Sequence, residues 1–256
     1  MAPSQAVEVI ASTEFDTSEV SPPNTTWEIA FYTDRVLVVR ARLGGGDTSG
    51  WHTFGEHEVY GVVIEGRARF EYGSRDKDSI DADTGDFFHI PAEVVHRNVN
   101  PTGDEQVIIA GFVGSGMPVV SVKEPPLRLP AREPRVAGTD DLIPTGILEN
   151  LTRLTPFPDA AVQQIRGHAT GRIESSWHHH GDNDVFGYVL NGEGYVEWGL
   201  GDGERKIAHA GDFFHIPPGL VHRDVNPSDD EQDYLLWLTG TEPRVVHVDE
   251  PANSGE

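Results

Sequence analysis

The sequence repeats itself once, and this duplication restricts the possible folds more than any other feature. When the chain is shifted by 126 residues, 33 of the 75 residues in Trp51–Pro125 match their counterparts without a gap. The segment Gly85–Pro91 (GDFFHIP) recurs unchanged at Gly211–Pro217. Two copies of one folding unit therefore account for most of the 256 residues, and each copy has the length of an ordinary domain.

A proline-rich segment separates the two copies. Residues 125–146 contain five prolines. Proline fixes φ and lacks a backbone N–H, so this segment predicts an extended linker without secondary structure of its own. We therefore predict an N-terminal domain of residues 1–124 and a C-terminal domain of residues 147–256. The polar residues before Pro23 are expected to form a strand or arm of the first domain.

Apolar residues in each copy recur in short runs with a period of two. These runs are rich in β-branched and aromatic residues and are bounded by Gly, Asp, Asn or Pro, which is typical of strands. Asn191-Gly192 lies between two such runs and predicts a tight hairpin. The sequence therefore predicts two all-β barrels in tandem. The predicted strands are Val36–Arg42, Val59–Ile64, Arg67–Tyr72, Phe87–Ile90, Val107–Val113 and Val119–Val122, then Val162–His168, Val185–Leu190, Tyr195–Trp198, Phe213–Ile216, Tyr234–Leu238 and Val245–Val248.

Composition excludes several classes of function. The 42 acidic residues outnumber the 19 basic ones and give a formal net charge of −23, which disfavours nucleic-acid and membrane-surface partners. The absence of cysteine excludes disulfides, iron–sulfur clusters and thiol nucleophiles. The N-terminus lacks the pattern of a signal peptide, and no apolar run approaches the roughly 20 residues that span a bilayer. These features predict a cytoplasmic protein.

Three histidines in the second copy have the spacing of a metal site. His178 and His180 are two residues apart, so both side chains point the same way if they lie on a strand. His222 belongs to a later strand that could pair beside them. Three imidazoles form a suitable ligand set for a divalent transition metal, namely Fe, Mn, Ni, Cu or Zn. We therefore predict His178, His180 and His222 as metal ligands.

The second copy resembles a cupin domain. The cupin motif G-x5-P-x-G-x2-H-x3-N is matched in full by Gly211, Pro217, Gly219, His222 and Asn226. The first copy matches it less completely, since Glu93 stands where the second glycine is expected. The whole chain therefore resembles a bicupin. This resemblance implies two jelly-roll barrels and a metal bound inside at least one of them.

The resemblance leaves the identity of a carboxylate ligand open. The other cupin motif, H-x-H-x3/4-E-x6-G, is matched in part by His178, His180, Asp184 and Gly192. Asp184 replaces the usual Glu, and seven residues rather than six separate it from the glycine. If the strand is aligned on Gly192, Val185 occupies the position of the carboxylate. The alternatives are a site with Asp184 as fourth ligand and a site of three histidines alone.

The first copy departs further from the cupin pattern. His52 and His96 occupy ligand positions, but Phe54 replaces the second histidine of the pair. His57, beside Glu58, could supply the missing ligand if the turn folds back. Two alternatives remain for this copy: a second metal site formed by His52, His57, Glu58 and His96, or a domain that has lost its metal.

Substrate-binding residues are predicted from strand phase and aromatic character. Gln164, Arg166 and His168 alternate along one strand and would offer hydrogen-bond donors to a substrate if they face inward, whereas the alternative is a solvent-exposed face. Trp177 and Phe186 lie near the predicted ligands and could form apolar walls.

The resemblance implies an enzyme that acts on a small molecule. Three histidines leave open positions on a metal, where a bidentate diketone, hydroxy-ketone, phenolate or short acid could bind. We expect a metal-dependent dioxygenase, with Fe as the favoured metal. The alternatives are a redox-neutral decarboxylase or isomerase and a non-catalytic small-molecule or metal-binding protein. A homo-oligomer is compatible with the exposed faces of such sheets.

Overall fold

A computed structural model shows that the protein is built almost entirely of antiparallel strands. The structure describes residues 6–73, 78–124, 130–199, 203–242 and 244–249. One short 3-10 helix, Thr139–Asp141, is the only helical element within these ranges. No helix in this part of the chain has the length and hydropathy needed to cross a membrane.

The strands follow one another in two similar series. The first series comprises β1 (Glu8–Ile10), β2 (Asp16–Thr17), β3 (Thr25–Tyr32), β4 (Val36–Leu43), β5 (His52–Thr53), β6 (Glu58–Glu65), β7 (Arg67–Tyr72), β8 (Asp78–Asp83), β9 (Phe87–Ile90), β10 (His96–Val99), β11 (Gln106–Val113), β12 (Val120–Ser121) and β13 (Arg135–Ala137). The second comprises β14 (Ile143–Leu148), β15 (Leu151–Thr155), β16 (Gln163–Ala169), β17 (Ile173–Glu174), β18 (His178–His179), β19 (Val185–Asn191), β20 (Glu193–Trp198), β21 (Glu204–His209), β22 (Phe213–Ile216), β23 (His222–Asn226), β24 (Gln232–Leu238) and β25 (Val246–His247).

Two compact units result, and each is a pair of facing sheets that forms a jelly-roll barrel. The first barrel is Phe15–Leu142, and its sheets have the orders β13-β9-β6-β11-β4-β3-β2 and β12-β5-β10-β7-β8. The second barrel combines Met1–Glu14 with Ile143–Glu256, and its sheets have the orders β1-β22-β19-β24-β16-β15-β14 and β21-β20-β23-β18-β25, with β17 beside β23. All twelve strands predicted from the apolar pattern are present within two residues of their predicted ends.

The domain boundaries differ from the predicted ones at both ends of the first copy. The N-terminal arm belongs to the second barrel, because β1 pairs with β22. The proline-rich segment is not a bare linker, because its strand β13 pairs with β9 in the first barrel. In both cases an extra strand covers the edge of the FFHI strand, whose backbone N–H and C=O groups would otherwise lack partners. Residues 125–129 lie outside the described part of the chain.

Alternation along the strands sends one face of each sheet into the barrel. In β24, Tyr234, Leu236 and Leu238 face the interior, together with Ile165 of the neighbouring strand β16. The first barrel is filled more completely by a cluster that includes Trp27, Phe54, Phe70, Phe88 and Phe112. The two interiors are therefore built on the same frame but differ in polarity.

An asparagine at the end of the cupin motif holds the same loop in both barrels. Asn226 Nδ2 donates to the carbonyls of Gly171 and Asp230, and its Oδ1 accepts from Ser228 N. Asn100 makes the equivalent bonds in the first barrel, to Leu43, Asp104 and Thr102. Both side chains are buried, so their hydrogen bonds replace water that cannot reach these backbone groups.

Substituting Asn226 by alanine should therefore destabilise the second barrel. Asn226→Ala leaves buried carbonyls unpaired, and we expect the free energy of unfolding to fall by about 2 kcal/mol. Urea unfolding followed by circular dichroism measures the change. Asp229→Ala in the same loop is the matched control, because Asp229 is 87% exposed and its ion pair with Arg172 is at the surface, so its effect should stay within about 0.5 kcal/mol. Equal effects of the two substitutions would contradict the assigned role of Asn226.

Candidate metal centre

Three histidine side chains converge inside the second barrel. One ring nitrogen from each of His178, His180 and His222 lies within 4.8 Å of the other two, and all three residues are buried. His178 and His222 are direct neighbours in the register of β18 and β23. The structure thus brings together the three ligands that the sequence predicts.

Backbone carbonyls orient each of these rings. Nδ1 of His178 donates to Ser176 O at 2.9 Å, and Nδ1 of His222 donates to Leu220 O at 2.8 Å. Nδ1 of His180 donates to Arg244 O at 2.7 Å. In a neutral ring this arrangement leaves the lone pair on Nε2, which is how a second hydrogen bond prepares histidine for a metal.

The electrostatics of the site favour neutral imidazoles. Burial lowers the pKa of His180 to about 4, and the neighbouring His222 contributes to the same shift. Burial also lowers the pKa of His222, with a smaller contribution from His178. His222 Nε2 is buried and has no hydrogen-bond partner among the described residues. A buried acceptor left unpaired is costly unless something binds it, so the donor set fits a divalent transition metal.

Asp184 does not join the three histidines. Its carboxylate accepts a hydrogen bond from His215 Nε2 at 2.9 Å, and Val185 takes the adjacent place on the cavity wall. The chain thus follows the alternative in which an apolar residue stands at the carboxylate position of the cupin motif. The reason is strand phase: Asp184 falls on the outer face of the sheet, where Phe186 stacks on the same His215 ring.

A different carboxylate lies beside the ligands, and the sequence analysis missed it. Asp224 Oδ2 is 3.8 Å from His178 Nε2 and 3.8 Å from the guanidinium of Arg153. Burial alone would raise the pKa of Asp224, but the positive charge available on His178, His222 and Arg153 lowers it. The signal that could have revealed Asp224 is its spacing, since it follows His222 by two residues on one strand and therefore shares its face.

A cavity inside the second barrel has His180 on its wall. The space open to the centre of a water molecule is ≈ 80 Å³, and half of the residues on its wall are valine, leucine or isoleucine. Arg153 donates from Nε to Tyr234 Oη at 3.4 Å, and burial raises the pKa of Tyr234, so its hydroxyl remains protonated. The polar or charged residues on this wall are Arg153, Gln163, His180, Tyr195, Lys206, Asp224, Gln232 and Tyr234.

Strand phase excludes the predicted substrate-binding residues from this wall. Gln163 and Ile165 of β16 line the cavity, so the intervening residues face the other side of the sheet. On that side Arg166 and His168 contact Asp233, at 3.6 Å and 3.2 Å. The prediction that Gln164, Arg166 and His168 face inward is therefore wrong, because the residues of β16 that face inward are their immediate neighbours in the sequence.

The two predicted aromatic walls also lie elsewhere. Trp177 packs against the guanidinium of Arg223, with 5.0 Å between the charge and the ring centroid. Phe186 is fully buried but stacks on His215 at 4.6 Å, on the outer face of β19. Neither residue belongs to the wall of the cavity.

A glycine makes room for the tyrosine on the cavity wall. Gly167, Arg153 and Tyr234 are neighbours across three adjacent strands. A Cβ at Gly167 would lie 2.1 Å from Cζ of Tyr234, so only glycine allows the ring to cover the strand at this point. The phenol ring and the guanidinium are thus held together by the backbone geometry.

The first barrel keeps two histidines of the site and replaces the third. Nδ1 of His52 donates to Gly50 O, and Nδ1 of His96 donates to Val94 O, as in the second barrel. Phe54 fills the position of His180, and its ring centroid is 4.9 Å from that of His96. Within the described residues, the set of three histidines in the second barrel is the only group of potential ligands that lies close enough to hold a metal ion.

His57 and Glu58 do not supply the ligand that the first barrel lacks at Phe54. Both ring nitrogens of His57 contact backbone carbonyls, those of Phe54 at 2.9 Å and Gly116 at 3.1 Å. Glu58 accepts a hydrogen bond from His89 Nε2 at 2.6 Å, which is the counterpart of the bond between His215 and Asp184. The structure therefore does not bring His57 or Glu58 to His52 and His96.

Comparison of the sequence with known families agrees with this geometry. A family model described as "Cupin domain" matches residues 39–112 and 168–238, which together make up more than half of the chain. The chain belongs to the cupin family. The two matched regions coincide with the two barrels, so the protein is a bicupin. No curated protein sequence matches it significantly.

Solved structures with the same fold include several oxalate decarboxylases. A point mutant of the Bacillus subtilis enzyme matches with a TM-score of 0.72 and 11% identity, over 94% of this chain and 79% of that one. The formate complex of the Lactobacillus farciminis enzyme matches with a TM-score of 0.73 and 12% identity, over 94% and 88% of the two chains. A further Bacillus subtilis structure, from a study of Mn(II) centres, has a TM-score of 0.71 and 12% identity over 94% and 79%. At these identities the likeness concerns the fold.

Metal content should depend on the second barrel alone. We expect about one divalent metal per chain after reconstitution, because among the described residues three potential ligands converge in the second barrel alone. His180→Ala and His222→Ala should each abolish stoichiometric binding, whereas His96→Ala, the matched change in the first barrel, should leave it unchanged. Inductively coupled plasma mass spectrometry of the untagged protein provides the measurement. Loss of half the metal in His96→Ala would show instead that the first barrel also binds.

The first barrel should lose stability in acid through His52. Burial lowers the pKa of His52 to about 4, from the usual histidine value of about 6.5. Below pH 6.5 the unfolded chain therefore takes up a proton that the folded chain does not, and stability falls as the pH approaches 4. Between pH 7 and 4.5 we expect His52 to account for about 2 to 3 kcal/mol.

Urea titrations of the wild type and His52→Gln at both pH values test this expectation. The variant should show a smaller loss of unfolding free energy in acid than the wild type. A matched variant, His209→Gln, removes a largely exposed histidine and should keep the pH dependence of the wild type. Identical acid sensitivity in the wild type and His52→Gln would refute the assignment.

Proposed function

We propose that the protein is a metal-dependent enzyme that decarboxylates a small carboxylic acid in its second barrel without net oxidation. The observation that carries this proposal is the partly buried guanidinium of Arg153 on the wall of a small cavity whose wall also includes His180, one of the three clustered histidines. The guanidinium offers a counter-charge for a carboxylate, and His180 brings the proposed metal site to the wall of the same cavity.

The comparisons support the redox-neutral alternative better than the expected dioxygenase. The matching bicupin structures are those of oxalate decarboxylases, one from a study of Mn(II) centres and one with formate bound. We therefore propose manganese, rather than the expected iron, as the metal. Neutral histidines accept either ion, so the choice of metal rests on these similar structures rather than on the ligand set.

The chain's own residues suit a decarboxylation. Arg153 can pair with the carboxylate of the substrate, and Tyr234, held by the guanidinium, limits where that carboxylate can lie. The valine, leucine and isoleucine side chains of the wall exclude water and strengthen these charge interactions. A bound divalent metal would supply Lewis-acid stabilisation of the negative charge that develops on the substrate.

The proposed reaction is balanced without an oxidant. The bond between the carboxylate carbon and its neighbour breaks, its electron pair stays on the neighbouring carbon, and a proton from solvent replaces the lost CO2. A dioxygenase would instead consume one O2 for each substrate molecule. Measurement of O2 uptake therefore distinguishes the two functions.

Gas exchange by the manganese-loaded protein tests the proposal. We expect release of CO2 from oxalate or another short acid, such as a 2-keto acid, under anaerobic conditions, and no substrate-dependent O2 uptake in air. His222→Ala should abolish the release. Stoichiometric O2 consumption would favour the dioxygenase, and ligand-dependent thermal stabilisation without turnover would favour a binding protein.

Arg153 should contribute mainly to the binding of the substrate. Removal of its charge in Arg153→Gln should raise KM at least tenfold, which corresponds to about 1.4 kcal/mol of lost interaction. Arg166→Gln is the matched control, because Arg166 lies on the outer face of the neighbouring strand and contacts Asp233. Steady-state kinetics of CO2 release measure both variants. An unchanged KM in Arg153→Gln would remove Arg153 from the proposed site.

A further inference from the structure

The metal centre described so far lacks the carboxylate that would balance part of the charge of a divalent ion. Asp184 is engaged with His215 on the outer face of the sheet. We infer that Asp224, from the strand that carries His222, is the carboxylate ligand of this metal. This inference rests on the proposed function, since it assumes that the second barrel binds a divalent metal.

The position of Asp224 on its strand directs it toward the three histidines. In β23, His222 and Asp224 are two residues apart and share one face. Asp224 Oδ2 lies 3.8 Å from His178 Nε2. Two ligand atoms that each bind one ion at about 2.1 Å can be at most about 4.2 Å apart, so a single ion can contact both. Asp224 lies outside the group of ligand atoms that are all within 4.8 Å of one another, so the inference requires its carboxylate to rotate toward His180 and His222.

The carboxylate of Asp224 is available for such a rotation. Within the described residues its charged contacts are with His178 and Arg153, both at 3.8 Å, and neither distance is that of a hydrogen bond. Its side chain is 33% exposed, and the residue lies on the wall of the cavity. A cation between this carboxylate and the histidines would give it a close partner of opposite charge.

The duplication provides an independent argument. Asn98 of the first barrel corresponds to Asp224, and Phe54 corresponds to His180. Both barrels keep the first and third histidines with the same hydrogen bonds to backbone carbonyls. The barrel that lacks the second histidine therefore also lacks the carboxylate, as expected if both serve one metal.

The same comparison connects Asp224 with Arg153. Trp27 corresponds to Arg153 and Ile108 corresponds to Tyr234, and each first-barrel residue occupies the equivalent position in the register of three adjacent strands. The first barrel therefore has an uncharged residue at each of the four positions that hold His180, Asp224, Arg153 and Tyr234 in the second barrel. If Asp224 binds the metal, the guanidinium of Arg153 becomes available for the carboxylate of a substrate.

Metal titration of the apoprotein tests the role of Asp224 without relying on activity. Mn2+ binding is followed by the electron paramagnetic resonance signal of the free ion, and Co2+ binding by the visible absorption spectrum. We expect Asp224→Asn to weaken Mn2+ binding at least tenfold and to change the Co2+ spectrum, because the coordination sphere loses an oxygen ligand. Asp224→Glu should recover part of the affinity.

Asp233→Asn is the matched control, since it removes one negative charge from the neighbouring strand β24 on the outer face. It should leave both the affinity and the spectrum unchanged. A Co2+ spectrum unaltered by Asp224→Asn would overturn the inference even if affinity falls, because Asp224 would then act only as a nearby charge. Equal behaviour of Asp224→Asn and the wild type would overturn it as well.

The controls separate this inference from the proposed function. If the wild type binds metal, His222→Ala does not, and Asp224→Asn behaves like the wild type, only the role of Asp224 is refuted. If the wild type itself binds no metal, the proposed function fails together with the inference. Circular dichroism of each variant verifies folding, and Asp224→Ser replaces Asp224→Asn in the titration should the amide misfold.

Discussion

The register between β18 and β23 is the constraint on which the site depends. It places His178 directly opposite His222, so two imidazoles meet without any contribution from long loops. Backbone carbonyls two residues before each ring then fix its tautomer. Strand pairing and carbonyl positions belong to the barrel itself, and the first barrel retains the same pair of histidines in His52 and His96.

The remaining polar residues distinguish one barrel from the other. His180, Asp224, Arg153 and Tyr234 occupy positions that hold Phe54, Asn98, Trp27 and Ile108 in the first barrel. The large apolar side chains there pack into the core, whereas their polar counterparts line a cavity. One scaffold therefore supports either a more apolar interior with a cavity of ≈ 40 Å³ or a charged site beside a cavity of ≈ 80 Å³, and the choice involves a few inward-facing positions on adjacent strands.

Several side-chain contacts that recur in both barrels instead stabilise the shared fold. The pairs Glu58–His89 and Asp184–His215 recur on the outer faces of the sheets, each with an aromatic ring stacked on the histidine. The loop asparagines Asn100 and Asn226 recur with the same hydrogen bonds. These contacts on the outer faces and in the loops give both sets of residues a structural role, and Asp184, which resembles a ligand in the sequence, is paired with His215 instead of joining the three clustered histidines.

The sequence by itself determined the duplication, the two β-barrels, most strand positions and the three histidines, because period-two patterns and fixed motif spacings are local properties of the chain. Tertiary structure decided the rest. Side chains alternate along a strand, and in β16 this alternation turns Gln164, Arg166 and His168 away from the cavity. Asp184 is likewise next to an inward-facing residue, Val185, and therefore lies outside the interior. The association of Arg153, Tyr234 and Asp224 spans strands far apart in the sequence. Only the pairing of those strands, and the space above Gly167, brings these side chains together.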